Sequence, residues 1–388
     1  MASPLAGKVV VDLSRHLPGP LAGRLLADLG ARVIKVEEPS AGDPVRSAPP
    51  VREGAGSLAA ILLSGLESVA LDLKQPAGRE VLSRLLSRAD VLLESFRPGT
   101  LARLGFPPEE LRARYPQLVV CSVTGWGQTG PYAPRAGHDL TYQAIAGTLA
   151  STAAMPAVPV VDLTGAWSAV TAILAALLER ERTGAGRHID AALFDAAVHS
   201  NIVGWAMEAD GKKGVGQRLP LTGALPCYNL YETADGGHLA VAALEPHFWE
   251  RFCRAVGRED LVKRQYSRSA RVRRTMEELL RSRTRAQWMD LLIREDIPAE
   301  AVLSASEARF HPQTRARGLL SLLPGGLSRL AFPARFDGER PRGGGDVPKL
   351  GEHTEPVLRE LGLSRKELAG SGVGPRFSFK RWVLRIFS

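Results

Sequence analysis

Residues Val9 to Glu37 read VVVDLSRHLPGPLAGRLLADLGARVIKVE, and the change of period inside this stretch decides the fold. The apolar run Val9 to Leu13 reads as a buried strand. Pro18, Gly19 and Pro20 then open a helix whose Leu21, Leu25, Leu26 and Leu29 share one face, and Gly30 closes it. Arg32 to Glu37 returns to strand character, so the stretch is a β-α-β unit with the right-handed crossover of a parallel sheet.

The same alternation continues outward. Ser68 to Leu73 reads as a strand, Pro76 to Arg88 as a helix with proline in its first turn, and Asp90 to Glu94 and Leu118 to Val123 as further strands. The expected architecture is α/β, with a Rossmann-like, doubly wound parallel sheet. Asp162 is placed like an N-cap for a helix from Leu163 to Thr183 that ends at Gly184 and Gly186. Ile189 to Phe194 leads into helical sequence up to about Asp210, and Gly211 to Gly216 reads as a linker. A hairpin over Tyr228 to Val241, turning at Asp235, Gly236 and Gly237, precedes amphipathic helices, which marks a smaller α+β domain. The expected division is 1–210 with 330–388 as the large domain, 211–224 as linker and 225–329 as the small domain. A last helix is expected near Glu355 to Leu361, after the glycines at 343–345.

A chain of 388 residues with 45% hydrophobic content can bury a sizeable core. No stretch approaches the roughly 20 uninterrupted apolar residues of a membrane span, and the opening residues lack a signal-peptide pattern, so a cytoplasmic protein without integral membrane association is expected. Cys121, Cys227 and Cys253 lie far apart and read as buried free thiols, with no metal site. The net charge of +9 admits nucleic acid, an anionic membrane or a phosphate-rich small molecule as partner. The basic run Lys263, Arg264, Arg268, Arg271, Arg273, Arg274, Arg281, Arg283 and Arg285 has no aromatic platform or DNA-binding motif beside it. It reads as a solvated helical face, and no nucleic-acid partner is expected. The tail at 374–388, which mixes Arg376, Lys380, Arg381 and Arg385 with aromatic residues, reads as a partly ordered terminus.

Gly125, Gly127 and Gly130 spell G-x-G-x-x-G after a strand, but Pro131 and Pro134 follow where a dinucleotide-binding helix should start. An irregular loop lining a site is the better reading. No nucleophile elbow, P-loop or H-E-x-x-H helix is present. Read singly, Asp162 is a helix cap, His138 a satisfied structural histidine and Glu245, before Pro246, a surface turn.

Several phrases, in order, change that reading. They are Val11-Asp12-Leu13-Ser14 with Pro18-Gly19-Pro20; Leu26 through Glu37; Gly42-Asp43-Pro44; Ser68 through Lys74; Arg97-Pro98-Gly99 with Leu104-Gly105; the loop Gly125 to Tyr132; and Gly351-Glu352-His353-Thr354. Along nearly its whole length the chain resembles the family III CoA-transferase and α-methylacyl-CoA racemase superfamily.

The resemblance implies an acyl-CoA substrate, no cofactor beyond the CoA moiety, and an interlocked homodimer. Asp162 matches the aspartate that a transferase uses as nucleophile toward the acyl thioester. In a racemase Asp162 would instead be one of two acid/base groups, with His138, in Gly137-His138-Asp139-Leu140-Thr141-Tyr142, the other and Glu245 the carboxylate supporting it. Unpaired N–H groups at the helix start after Asp162 would support the developing oxyanion. Leu71, Asp72, Leu73, Lys74, Arg97, Arg103, Gly137, Asp139 and Tyr142 match positions that hold CoA. The Gly-His-Asp phrase favours a 2-methylacyl-CoA racemase or epimerase over acyl exchange. Glu38 replaces a frequent arginine, and Leu66 and Glu67 stand where relatives carry basic residues, which leaves an acyl-CoA-binding homologue with degraded catalysis as a third reading.

Overall fold

The computed structural model describes residues 3–52, 55–208, 219–323, 326–341 and 343–363. Two compact units emerge: Met1–Ala146 with Pro156–Asn201 and Gln313–Ser388, and Gly147–Met155 with Ile202–Pro312. The expected linker at 211–216 and the basic aromatic tail at 374–388 lie outside the described residues.

The first unit is built on six parallel strands: β1 (Val9–Asp12), β2 (Arg32–Glu37), β3 (Glu67–Ala70), β4 (Val91–Glu94), β5 (Val119–Thr124) and β6 (His188–Ala192). Their order is β3-β2-β1-β4-β5-β6. Strand order therefore reverses between β1 and β4, and in such open sheets ligands settle outside the carboxyl ends of the strands at that switch point. Five helices matter to the site: α1 (Pro18–Asp28), α2 (Pro76–Leu86), α3 (Asp139–Ala146), α4 (Val160–Thr183) and α5 (Leu193–Ser200).

Alternation along the strands divides the core into two apolar layers. Val10, Val33, Val91, Leu93, Val119 and Cys121 face the side covered by α1 and α4. Val11, Ile34, Val69, Leu92 and Val120 face the side covered by α2 and the C-terminal helix Thr354–Glu360. Burial on both faces explains why these strands read as continuous apolar runs. Helix α4 is long and apolar enough to cross a membrane by length and composition, contrary to the reading of the linear sequence. Its Val161, Ala166, Ala169, Val170, Ile173 and Leu177 are instead buried in the first of these layers.

The outer edge of β3 is closed by the distant C-terminal segment. The Ser68 amide donates to His353 Nδ1 at 3.2 Å, the Ala70 amide donates to Thr354 Oγ1 at 2.9 Å, and the His353 amide donates to the Ser68 carbonyl at 2.9 Å. An edge that would otherwise offer unpaired amides is thus covered.

In the second unit, β7 (Tyr228–Glu232), β8 (His238–Ala242) and β9 (Ala299–Ala301) form an antiparallel sheet in the order β9-β8-β7. Helices α6 (Pro246–Ala255), α7 (Ala270–Leu280) and α8 (Arg285–Arg294) bury Trp249, Phe252, Met276 and Trp288 against it. The basic run is not one helix. It is divided into a 3-10 turn at Glu259–Arg264, α7 capped by Ser269, and α8 opened by a capping box at Thr284 and Gln287. Arg281 pairs with Glu232 and Arg285 with Glu307, each at 2.5 Å, so part of the charge is neutralised locally. All three cysteines are buried free thiols, as their spacing suggested.

Candidate active site

The loop after β5 begins at Gly125 and reaches no helix until Asp139, in keeping with its prolines. Trp126 organises it. Its ring stacks obliquely on Tyr132 at 5.0 Å, edge-on to Tyr142 at 4.8 Å and beside Phe194 at 5.5 Å. A β-carbon on Gly137 would stand 2.6 Å from the Tyr142 ring and 2.9 Å from Trp126 Nε1, so only glycine lets the loop pass. His138 follows, exposed, with its amide donating to Thr141 Oγ1 at 3.0 Å and its carbonyl accepting from the Thr141 amide at 2.8 Å. These bonds set the imidazole at the start of α3.

Asp139 is the fastener of the site. One of its carboxylate oxygens accepts the backbone N–H of Val161 at 2.7 Å and that of Asp162 at 3.0 Å; the other accepts from Gln143. The residue beside His138 is thereby tied to the first turn of α4. Asp162 is not the N-cap expected from its local sequence. Pro159 occupies that position, Asp162 lies in the first turn, and the capping carboxylate comes from Asp139 instead.

The first four amides of α4 are all engaged. Val160 donates to the Val158 carbonyl, Val161 and Asp162 to Asp139, and Leu163 to the Pro159 carbonyl. The oxyanion support expected from unpaired N–H groups at this helix start is therefore not present there.

Asp162 itself is half-buried, and burial, reinforced by the like charge of Asp139, pushes its pKa up to about 6. A carboxyl group so placed changes protonation state close to neutrality, which suits proton transfer. Tyr142, buried behind it, is pushed up to about 12 by burial and by the charges of Asp162 and Asp139.

The residues matched to CoA contacts fall into two places. After β3, Asp72 accepts the Lys74 amide at 2.9 Å and forms a turn into α2, with Lys74 exposed, Leu73 half-buried and Leu71 buried. After β4, Arg97 and Arg103 are exposed, and Arg103 donates to Thr100 Oγ1 at 2.7 Å. A hollow of about 210 Å³ is lined by Pro76, Arg79, Ser83, Phe106 and Arg114 among others. Arg79 donates to the Lys74 carbonyl at 2.8 Å and so holds the turn before α2. Leu71 and Tyr142 offer no side-chain surface, and the Asp139 carboxylate is occupied by α4. Glu245 is exposed in the second unit, at the N-cap of α6.

A buried ionic cluster supports the switch point. Lys35, 1% exposed, lies 3.3 Å from Asp12 and 3.2 Å from Asp43 and donates to the Ser14 carbonyl at 2.8 Å. Burial opposes its charge, but Asp12, Asp43 and Glu37 together outweigh that and hold its pKa above the ordinary value. Glu37 accepts two bonds from Arg46 and one from Ser68. Glu38 accepts from Ser40 and from the Ala41 amide, so it shapes the following turn, while Leu66 is buried in the core.

The family model described as CoA-transferase family III matches residues 5–354. The chain is 32% identical over 377 residues to "Alpha-methylacyl-CoA racemase" of Homo sapiens, covering 94% of this chain and 95% of that one. It is 35% identical over 395 residues to "Succinate--glutarate CoA-transferase" of Agrobacterium fabrum, covering 92% and 96%. The crystal structure of a CAIB/BAIF family protein from Brucella suis superposes with a TM-score of 0.83 at 32% identity, over 93% of this chain and 100% of that one.

Proposed function

Because the chain belongs to CoA-transferase family III and is an enzyme of the racemase or CoA-transferase type, we propose that it racemises 2-methylacyl-CoA thioesters by moving the α-proton. The observation that carries this reading is Asp162, half-buried in the first turn of α4, with its pKa pushed up to about 6 and its amide bonded to Asp139, the residue after His138. One of the two groups removes the proton from the α-carbon while the electron pair moves toward the thioester oxygen. The other returns a proton to the opposite face. Glu245 is assigned its supporting role on the resemblance alone. Nothing beyond the CoA portion of the substrate is required as cofactor, and the cytosol is the compartment.

The test is deuterium uptake at Cα of a branched acyl-CoA in heavy water. Uptake that disappears in His138→Asn and Asp162→Asn is the expected result; a folded wild-type protein that exchanges no α-proton at saturating substrate refutes the reading.

The 35% identity to a succinate–glutarate CoA-transferase keeps acyl exchange as the second reading. There the Asp162 carboxylate attacks the thioester carbon, CoA leaves as thiolate, and a mixed anhydride remains for a free acid to resolve. Hydroxylamine trapping in the presence of acyl-CoA then labels Asp162. A homodimer is proposed as well, supported by exposed Trp167 and Leu178 on α4 and by Leu322, Leu330 and Phe336. Light scattering at a dimer mass is expected.

A further inference from the structure

Both chemistries place negative charge on the thioester oxygen, in an enolate or in a tetrahedral adduct, and both need a hydrogen-bond donor there. The amides of the α4 start are committed elsewhere. Beside any amide at the start of α3, the switch point offers a side-chain donor on another element. His16 follows β1, where ligands enter open parallel sheets. Its side chain is exposed, and its backbone lies at φ +72°, a left-handed conformation unfavourable for a residue with a β-carbon.

Such a conformation persists only where its surroundings enforce it. Here the loop is held on every side: the Ser14 amide donates to Asp12 at 2.7 Å, the Ser14 carbonyl accepts from Lys35, the Arg15 amide donates to Ser95 Oγ at 2.9 Å across the switch point, and the His16 amide donates to Asp43 at 3.2 Å. A fully buried ionic cluster thus holds the backbone from which one exposed imidazole projects. The charged groups that act on that ring are Asp43, Arg15, His138 and Lys35. Partial desolvation of the ring against the loop comes first, and with the three basic groups it outweighs Asp43 and holds the pKa below the ordinary value. The shift favours the neutral ring, which keeps one N–H.

We propose that His16 is a catalytic residue of this site, donating its ring N–H to the thioester oxygen as negative charge develops on it. This rests on the reading that the enzyme turns over acyl-CoA, by either route. No proton is transferred to the oxygen. In the racemase step the C–H pair becomes the C=C pair and the carbonyl π pair moves to oxygen; in the transferase step the carboxylate pair forms the new C–O bond and the π pair again moves to oxygen. In both, His16 remains a neutral donor.

Two variants fit the left-handed backbone. His16→Gly removes the ring, whereas His16→Asn restores an N–H donor with a residue that tolerates positive φ. Wild-type protein is first assayed for Cα exchange and for acyl transfer; absence of both overturns the functional reading itself. With either activity in hand, His16→Gly is expected to lower kcat by about 10²- to 10³-fold, the usual loss of one oxyanion donor. KM and the affinity for free CoA should stay within about threefold, because the bond is made only in the transition state. His16→Asn should recover at least about tenfold of the loss. A glycine variant with wild-type kcat, or an asparagine variant no better than glycine, overturns the inference while leaving the functional reading intact.

Discussion

Asp139 accepts the backbone amide of Asp162 at 3.0 Å, so two carboxylates of like charge are locked together at the start of one helix. Each keeps a distinct duty: Asp139 caps α4, and Asp162 presents a carboxyl whose pKa is raised by burial and by that neighbour.

Replacing Asp162 separates function from stability. Asp162→Asn should lower turnover by more than about 10³-fold, since under either proposed chemistry it removes the group that exchanges a proton or attacks the substrate. It should also stabilise the fold at pH 8, by on the order of 1 kcal/mol once partial exposure is allowed for. The folded-state pKa is raised, so the wild-type protein loses this stability as pH climbs from the ordinary Asp range through about 6. The gain in Tm over wild type should therefore be present at pH 8 and vanish near pH 4.

Asp139→Asn tests the coupling in the other direction. Loss of its charge should move the apparent pKa of Asp162 downward, and with it the acidic limb of the kcat profile, while the shortened acceptor set weakens the tie to α4. A pH profile superimposable on wild type would contradict this electrostatic assignment.

Lys35→Met leaves Asp12 and Asp43 buried without their cation. A destabilisation of roughly 3–5 kcal/mol is expected, the usual cost of breaking a buried ion pair from one side, and is read as a fall in the midpoint of urea unfolding.

Gly137→Ala should damage activity without touching a charged group. Its methyl would press on Tyr142 and Trp126, which can be relieved only by moving the loop that carries His138. Near-wild-type exchange in this variant would show that the loop yields freely.

Lys74→Ala and Arg103→Ala test the proposal that these exposed cations hold the nucleotide end of CoA. Each should weaken CoA about tenfold, more at low salt than at high, and leave kcat nearly unchanged. Calorimetry with free CoA measures this.

The sheet was legible because its signals are local: Val9 to Glu37 changes period twice, and Pro18 and Gly30 punctuate it. What escaped was long-range. Asp162 looks like a cap because aspartate before an apolar helix usually is one, whereas the true cap, Asp139, is 23 positions away along the chain and meets α4 only after folding. The role of Lys35 was hidden for the same reason, since a lysine inside a strand reads as an exposed position until two carboxylates from other segments surround it. His16 carried a weak signal: a histidine just past the first strand of a doubly wound sheet stands where such folds bind ligands. The phrase ending in His353 and Thr354 was visible as a resemblance, but its physical purpose, closing the edge of β3, was not.

That closure sets the order in which the polypeptide can mature. Ser68 and Ala70 leave the ribosome long before His353 and Thr354 exist, so throughout manufacture of the second unit the margin of the nascent sheet stays bare and able to stick to its neighbours. Synthesis that stops short of position 353 would make this hazard permanent, however complete the chemistry-bearing residues upstream.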